Sequence, residues 1–383
     1  MLKIALIAGE ASGDMLAASL IAALKVSYNG PIELVGIGGT RMQAEGLKSW
    51  HKLETLSVMG YVEVIKSLPQ LIKLRYQVLH QLLEYKPDIF IGVDAPDFNF
   101  FLEQRLKNHG IKTVHYISPT IWAWRYSRIH KIKKSTDLML CIFPFEEAIY
   151  QKEQMAAKFI GHSMANEIEM DIDSAVYRNK LNLPLEQTLI CVLSGSRERE
   201  VKSLARVLIN TCSLIKNKIP NCAFLFPFVT ERTLQIMEQE FKLNKVDFTY
   251  HFLLNNTREA LKSCDLVIAK SGTVSLEAAL CKKPMLICYK VNRFTAWLLR
   301  KRITIKYVGQ PNIIANREIV KEFLQDEATP KRLSQYIINL YHDKEQQAAM
   351  IKEFYALHQQ LRSGAQVDGA QAILNLIQDG RQC

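Results

Sequence analysis

Hydrophobic and polar positions follow two alternating patterns along this chain. Short apolar runs rich in Val and Ile, each bounded by Gly, Pro or Asp, are separated by longer stretches in which apolar residues recur every three or four positions. In the first half the short runs are KIALIAG, IELVGIGG, PDIFIGVDAPD, KTVHYISP, DLMLCIFP and KFIGH. Such runs predict buried strands, and the wider spacing predicts helices. Their alternation predicts parallel βαβ units with helices on both faces of a sheet.

The same alternation restarts after a break in the middle of the chain. The break is HSMANEIEMDIDSA, residues 162–175, which is polar, acidic and without strand character. Beyond it come TLICVLSGS, CAFLFPFV, VDFTYHF, DLVIAKSGT and PMLICY, each followed by a helical stretch. The pattern therefore predicts an α/β protein with two doubly wound, Rossmann-like domains in tandem. Ligands of such sheets bind beyond the carboxyl ends of the strands, so we expect a site in a cleft between the domains.

The chain of 383 residues is longer than one hydrophobic core normally covers, which also favours two domains. We predict an N-terminal domain over residues 1–165 and a C-terminal domain over residues 166–345. Residues 346–383 are predicted to be C-terminal helices. The pattern leaves open whether these helices pack back on the first domain.

Composition narrows the class of protein. The 49 Lys and Arg against 38 Asp and Glu give a formal net charge of +11, which favours phosphorylated metabolites, nucleic acid or an acidic membrane surface as partners. The eight cysteines include no CxxC pair, which is typical of a reduced cytoplasmic protein. Since no apolar run approaches the ~20 residues that cross a bilayer, we expect neither a secreted nor a membrane-spanning protein.

Two turns in the second half have the composition of phosphate-binding sites. LSGSRERE and AKSGTVSLEAAL each end a strand in a Ser-Gly-containing turn that opens a helix. Backbone amides and the positive end of a helix together favour an anion, although an ordinary capped helix with a solvated Arg is the alternative for the first turn. The predicted phosphate-contacting positions are Ser194, Gly195, Ser196, Arg197, Ser271, Gly272 and Thr273.

Two further polar positions follow in the second half. Glu277 lies in the second turn of the helix after Thr273, where a carboxylate can accept two hydrogen bonds from a ribose diol. Asn312 in VGQPNIIA offers a donor and an acceptor to a sugar or a phosphate. A surface helix residue and a turn-forming Asn are the respective alternatives.

Strand ends in the first half carry carboxylates. GVDAPDFN places Asp94 at the end of a strand, where it is a candidate general base toward a hydroxyl, and Asp97 is predicted to cap the next helix. AGEASGD places Glu10 at the end of the first strand. Neither His115 nor His162 is expected to act as the base.

Apolar surfaces are the last feature. Residues 67–86 carry Leu71 and Leu79 at helical spacing beside Lys73 and Arg75, and residues 293–307 are similarly basic and apolar. Core packing is the default for such stripes, but a helix that lies on anionic lipid shows the same pattern. Trp122 in HYISPTIWAWR is predicted either to form a wall for a sugar or acyl chain or to pack a helix on the sheet.

Nine motifs in consistent order resemble the lipid-A-disaccharide synthases, the inverting glycosyltransferases of bacterial lipopolysaccharide assembly. They are AGEASGD, GIGGTRMQAEG, VMGYVEVI, VDAPDFN, SPTIWAWR, FIGHSMAN, GSRERE, SGTVSLE and PNIIANREIVKE, from about residue 2 to residue 375. The resemblance implies a glycosyltransferase-B fold. It also implies that UDP-2,3-diacylglucosamine is joined β-1,6 to 2,3-diacylglucosamine 1-phosphate (lipid X), with release of UDP and without a cofactor.

The resemblance further implies roles for individual residues. Asp94, Arg197 and Asn312 match functionally essential positions of the family. Arg197 and the two turns are expected to hold the diphosphate of UDP, and Glu277 its ribose. Asp94 is expected to take the proton of the acceptor's 6-hydroxyl or to orient a sugar hydroxyl, with Glu10 in reserve. Because Arg197 and two helix N-termini can stabilise the leaving UDP, no divalent ion is expected.

Acylated substrates imply work at a membrane surface. Each buried CH₂ of an acyl chain contributes about 0.8 kcal/mol, so the substrates stay in the bilayer unless the enzyme comes to it. We therefore expect peripheral attachment to the cytoplasmic face of the inner membrane, with a homodimer left open. The residues expected on the acceptor or membrane side are Met59, Leu71, Leu79 and Trp122.

Two other functions are weighed against this one. Another UDP-sugar enzyme of the same fold, such as a UDP-N-acetylglucosamine transferase or a UDP-sugar 2-epimerase, would share both phosphate sites but need no lipid-facing surface. A nucleic-acid-binding protein would show a recognised module or an aromatic and basic platform, and the sequence has neither.

Overall fold

The computed structural model describes residues 1–56, 61–291, 305–362 and 366–381. These residues form two compact units. Unit 1 comprises Met1–Ser163 and Leu361–Cys383, and unit 2 comprises Met164–Gln360. Each unit is built around one parallel sheet.

Unit 1 contains a seven-stranded sheet in the order β3-β2-β1-β4-β5-β6-β7. The strands are β1 (Leu2–Ala8), β2 (Ile32–Ile37), β3 (Lys48–Ser49), β4 (Ile89–Val93), β5 (Lys112–Tyr116), β6 (Leu138–Cys141) and β7 (Ala156–Phe159). The direction of winding reverses between β1 and β4, which pair in parallel register from Ile4 opposite Ile89. Doubly wound sheets bind ligands beyond the carboxyl ends of the strands at this reversal.

Unit 2 repeats the arrangement with six strands in the order β10-β9-β8-β11-β12-β13. The strands are β8 (Thr188–Leu193), β9 (Cys222–Phe228), β10 (Tyr250–Leu254), β11 (Leu266–Lys270), β12 (Met285–Tyr289) and β13 (Lys321–Leu324). Here the winding reverses between β8 and β11.

Helices connect the strands and cover both faces of each sheet. In chain order they are α1 (Ala11–Ser27), α2 (Thr40–Ala44), α3 (Tyr61–Tyr85), α4 (Pro96–Asn108), α5 (Ile129–Ser135), α6 (Pro144–Lys152), α7 (Ser163–Glu167), α8 (Ser174–Lys180), α9 (Glu198–Lys216), α10 (Glu231–Leu243), α11 (Thr257–Ser263), α12 (Thr273–Leu280), α13 (Gln310–Ala315), α14 (Pro330–His342), α15 (Lys344–Arg362) and α16 (Gln366–Arg381). No helix within the described ranges is both long and apolar enough to span a bilayer.

The core of unit 1 lies on both faces of its sheet. On one face, Leu20 of α1 and Ile373 of α16 pack with strand residues such as Ile91. On the other face, Val78 of α3 and Leu106 of α4 pack with residues such as Phe90. Burial of these strands on both faces explains why their sequences are nearly continuous apolar runs.

The C-terminal helices do not form one block. The chain up to Gln360 belongs to unit 2, and the chain from Leu361 onward belongs to unit 1, whereas the sequence predicted a single group from residue 346. The physical reason lies in α16, whose Ile373, Leu374 and Ile377 are buried in the core of unit 1. Helix α16 lies against α1, the first helix of the chain.

Candidate active site

Polar side chains meet at the winding reversal of unit 1. Strand β1 is followed by Gly9 and Glu10, and strand β4 is followed by Asp94 and Ala95. The two loops approach closely, because a Cβ atom on Gly9 would lie 2.4 Å from the Cβ of Ala95. Only glycine permits this approach. As a result the charge of Glu10 acts on the carboxyl group of Asp94.

Asp94 is the most perturbed carboxyl group of this region. Burial raises its pKa above the ordinary value, a hydrogen bond with the Ala95 backbone opposes the shift, and the charge of Glu10 raises the pKa further. Asp94 and Ala95 both adopt left-handed backbone conformations, with φ of 53° and 44°. Asn99 holds this turn, since its Nδ2 donates to the Asp94 carbonyl oxygen at 2.8 Å. Backbone strain of this kind is typical of functional sites.

A buried histidine lies behind this turn. His115 Nδ1 lies 2.6 Å from Oε1 of Glu103, and Thr136 Oγ1 donates to the other carboxylate oxygen at 2.6 Å. His115 also acts on Asp94, whose pKa it lowers. Sequence reasoning missed Glu103, although a Glu amid apolar residues of α4 was an available signal. Both His115 and Glu103 are fully buried, so they act on the site from below the surface.

Asp14 of the opening motif has a structural role. Its Oδ1 accepts hydrogen bonds from the amides of Gly39 (2.7 Å) and Met42 (3.1 Å), and its Oδ2 accepts from the amide of Arg41 (3.1 Å). These are amides at the start of α2, which the carboxylate caps. The polar turn after β1 thus serves two purposes, since Asp14 fixes the next loop and Glu10 faces Asp94.

A cavity lies at the winding reversal of unit 2, and we call it the β8–β11 pocket. Its volume is about 310 Å³. Both predicted turns line it, together with side chains from the neighbouring strands and helices. The lining residues are Leu193, Ser194, Gly195, Ser196, Glu200, Pro227, Val229, Thr257, Lys270, Ser271, Gly272, Thr273, Val274 and Glu277.

The two turns depend on glycine, as their sequences predicted. Gly195 has φ of +111° and Gly272 has φ of +154°, conformations that favour glycine over other residues. Ser194 precedes the first of them, and its Oγ is buried without a hydrogen-bond partner among the residues that the structure describes. A buried hydroxyl that lacks a partner is costly unless a ligand or water completes it.

The amides of the first turn are not open, which differs from the prediction. Oε2 of Glu200 accepts from the amides of Ser196 (3.2 Å) and Arg197 (3.4 Å), and Oε1 accepts from Lys270 Nζ at 2.9 Å. Burial alone would raise the pKa of Glu200, but the hydrogen bond and charge of Lys270 outweigh it and lower the pKa. A carboxylate of the protein therefore occupies the position predicted for phosphate.

Arg197 lies one position earlier than predicted. It is the residue before α9, not a member of its first turn. Its side chain is 83% exposed, and its Nη1 lies 3.6 Å from Oε1 of Glu200. The guanidinium is thus close to the pocket without being fixed in it.

Glu277 lines the β8–β11 pocket, and its Oε1 accepts from Arg258 Nε at 2.8 Å. Arg258 also donates to Glu167 at 2.9 Å. The arginine therefore orients the carboxylate that the resemblance assigns to the ribose.

Asn312 does not face the pocket, so the prediction of a direct sugar or phosphate contact is wrong. The side chain is fully buried. Its Nδ2 donates to the Val320 carbonyl (2.7 Å) and to Glu322 Oε1 (2.8 Å), while its Oδ1 accepts from the amides of Ile319 (2.8 Å) and Val320 (2.9 Å). Glu322 in turn accepts from the amides of Val308 and Gly309 at 2.9 Å each. Asn312 is therefore a positioning residue, and Ser271 Oγ donates to the Val308 carbonyl of the same loop at 2.8 Å.

The residues predicted for the acceptor or membrane side separate into distinct groups. Leu79 is 8% exposed and belongs to the core of unit 1, so the prediction that it faces lipid is wrong. Leu71 is half-buried. Met59 and most of the basic stretch 293–307 lie outside the described residues.

Trp122 packs within unit 1. Its indole Nε1 donates to Glu146 Oε1 at 3.0 Å, and its ring contacts Phe145 edge-on at 5.2 Å between centroids. Burial raises the pKa of Glu146 to about 7, against the opposing effect of the Trp122 hydrogen bond. These contacts favour the packing alternative for Trp122.

Metal ligands were also sought. Across the described ranges, no three side chains of His, Cys, Asp or Glu converge as ligands for a metal ion.

Comparison with protein families gives a match over nearly the whole chain. A family model described as lipid-A-disaccharide synthetase matches residues 4–373. The lipid-A-disaccharide synthase of Dechloromonas aromatica is 42% identical over 377 residues, which cover 98% of each chain. That of Methylobacillus flagellatus is 41% identical over 378 residues, covering 98% of this chain and 100% of its own.

Solved structures share the architecture at low sequence identity. The UDP-GlcNAc 2-epimerase of Neisseria meningitidis, bound to UDP-GlcNAc, matches with a TM-score of 0.61 at 11% identity and covers 99% of both chains. A glycosyltransferase of Rickettsia africae matches with a TM-score of 0.60 at 10% identity, covering 99% of this chain and 98% of its own. The predicted fold class, with two Rossmann-like α/β units of the glycosyltransferase-B type, is confirmed.

Proposed function

This chain belongs to the lipid-A-disaccharide synthase family, and from that premise we propose that it joins UDP-2,3-diacylglucosamine to the 6-hydroxyl of 2,3-diacylglucosamine 1-phosphate and releases UDP. The observation that carries the proposal is the β8–β11 pocket, which combines two glycine turns with Lys270 and Glu277. It supports a nucleotide site in unit 2.

The nucleotide is held by groups of complementary chemistry. Lys270, Arg197 and the amides of the two turns supply positive charge and donors for a diphosphate. The Glu277 carboxylate, oriented by Arg258, accepts hydrogen bonds from the ribose hydroxyls. The buried Ser194 hydroxyl finds its partner in the bound nucleotide. These groups stabilise the charge that develops on the leaving UDP.

The acceptor is activated in unit 1. Asp94 takes the proton of the 6-hydroxyl as that oxygen attacks the anomeric carbon and the bond to UDP breaks. Its raised pKa supports this role, because a carboxylate of higher pKa is a stronger base once it has lost its proton. Glu10 raises that pKa, and His115 with Glu103 limits the rise.

Membrane attachment is the finer part of the proposal. Helix α3 exposes Ile72 (39%) and Tyr76 (49%) beside the exposed Lys73. Apolar side chains flanked by cations favour an anionic lipid surface, and so does the formal charge of +11. We place the membrane-contacting surface on this exposed face of α3, not on Leu79.

The deciding experiment measures UDP release by the purified protein. UDP-2,3-diacylglucosamine is supplied with and without 2,3-diacylglucosamine 1-phosphate, and unacylated UDP-N-acetylglucosamine serves as the matched donor. We expect release that requires the acceptor and the acylated donor, and that continues in EDTA. Turnover of the unacylated donor would instead favour another UDP-sugar enzyme of the same fold, and absence of turnover with either donor would contradict the proposal.

A further inference from the structure

Glu200 occupies the anion position of the β8–β11 pocket, and this inference rests on the nucleotide site proposed above. We propose that Glu200 is a displaceable internal anion, which the diphosphate of the nucleotide must push out of the turn and which returns when UDP leaves. Glu200 thereby sets nucleotide affinity and assists product release.

The contacts of Glu200 are those that a phosphate oxygen would make. One oxygen accepts from two successive backbone amides, and the other accepts from an ammonium group 2.9 Å away. Amides at a helix start combined with a cation form the usual environment of a bound phosphate. Because Glu200 and a diphosphate carry the same sign of charge, they cannot share this position without strong repulsion.

The glycine of the turn makes room for the carboxylate. A Cβ atom on Gly195 would lie 2.6 Å from Oε2 of Glu200 and 2.7 Å from its Cβ. Gly195 therefore permits Glu200 to fold back over the turn, in addition to its positive φ. Space remains beneath, since Ser194 Oγ is buried there without a partner among the described residues.

A simple helix cap does not account for the whole arrangement. Glu200 is the third residue of α9, and an acidic residue at this position commonly bonds back to the residue before the helix. The bond to Lys270 is different in kind, because Lys270 comes from the end of β11 and belongs to the other turn of the pocket. Glu200 thus neutralises the cation that both turns share. Its displacement frees Lys270 and two amides together for the diphosphate.

Two glutamates in the first turn of α9 provide a matched comparison. Glu198→Gln removes the same charge from the same helix, but Glu198 is 46% exposed and pairs with Lys202 and Arg232 outside the pocket. Calorimetric titrations with UDP and with uridine are run on the wild type, Glu200→Gln and Glu198→Gln. We expect Glu200→Gln to raise UDP affinity roughly three- to tenfold and to slow UDP release, while Glu198→Gln changes UDP affinity less than about twofold. Uridine, which lacks phosphate, should bind all three proteins alike.

Glu200→Asp guards against a folding defect, since it keeps the charge but shortens the reach to the two amides. It should raise UDP affinity by less than Glu200→Gln does. Equal effects of Glu198→Gln and Glu200→Gln, or unchanged or weaker UDP binding in both Glu200 variants, would overturn the inference. Failure of the wild type to bind UDP would instead overturn the proposed function, so the two failures are distinguishable.

Discussion

Asp94 and Glu10 show how two neighbouring carboxyl groups acquire different tasks. The pKa of Asp94 is raised by burial and by the charge of Glu10, and a base works only when deprotonated. Activity should therefore fall as the pH drops through the raised pKa of Asp94. Glu10→Gln removes one cause of the rise, so the acid limb of the kcat/KM profile should move to lower pH.

Asp94→Asn tests the same assignment directly. It should lower kcat by about 10²- to 10⁴-fold, the usual contribution of a general base, with unchanged UDP affinity. An acid limb that stays in place in Glu10→Gln, or full activity in Asp94→Asn, would move the base elsewhere.

Asn312 is expected to act on stability before it acts on chemistry. Asn312→Ala leaves two buried amides and part of Glu322 without partners, which costs about 2–4 kcal/mol in the free energy of unfolding. Thermal unfolding should therefore shift downward together with the loss of UDP binding. Asn339→Ala, at an exposed position on α14, is the control and should leave both unchanged.

A direct substrate contact predicts another result for the same variant. Asn312→Ala would then lose activity while its unfolding temperature stayed at that of the wild type.

These residues also mark the limit of sequence reasoning. Gly195, Gly272 and Asp94 could be predicted, because positive φ and strand-end polarity leave a local signature in the sequence. The partners of Asn312 and Glu200 could not, because Glu322 and Lys270 lie in other elements and only the folded backbone brings them close.

Helix α3 has two faces that share one apolar composition. Leu79 points into the core with Val78 and Leu82, whereas Ile72 and Tyr76 are exposed. The three-to-four spacing predicted the helix correctly. It did not identify the lipid-facing residues, because apolar side chains cover more than one stripe of this helix and only packing against the sheet decides which stripe is buried.

The exposed face of α3 can be tested separately from the buried one. Ile72→Ser combined with Tyr76→Ser should reduce partitioning onto anionic vesicles by roughly tenfold or more, because two apolar contacts with lipid are lost. Unfolding temperature and UDP affinity should not change. Leu79→Ser should instead lower the unfolding free energy of unit 1 by about 2–4 kcal/mol. Unchanged vesicle binding in the double variant would exclude α3 as the membrane-contacting surface.

Unit 1 is discontinuous in sequence, and this organises the whole molecule. Helix α16 supplies Ile373, Leu374 and Ile377 to the core built by the first 163 residues. The amphipathic pattern of α16 predicted a helix, but such a pattern does not specify which of two similar sheets the helix covers. Contact with α1 decides the matter.

A chain that ends after residue 362 tests this organisation. Loss of α16 uncovers one face of the seven-stranded sheet, so calorimetric unfolding of unit 1 should occur at a markedly lower temperature. UDP binding, which we assign to unit 2, should persist. Gln371→Ala, at an exposed position on α16 in the full chain, is the control for the helix surface. Equal stability of unit 1 with and without α16 would contradict the assignment.

The late position of α16 has a consequence for biosynthesis. Domains usually complete their folding in the order in which the ribosome releases them. Here the first sheet emerges early, yet the helix that seals it follows only after all of Met164–Gln360 has been translated. The second sheet can mature first, and the nascent first sheet must be shielded from aggregation, by chaperones or by its own solubility, until translation is almost finished.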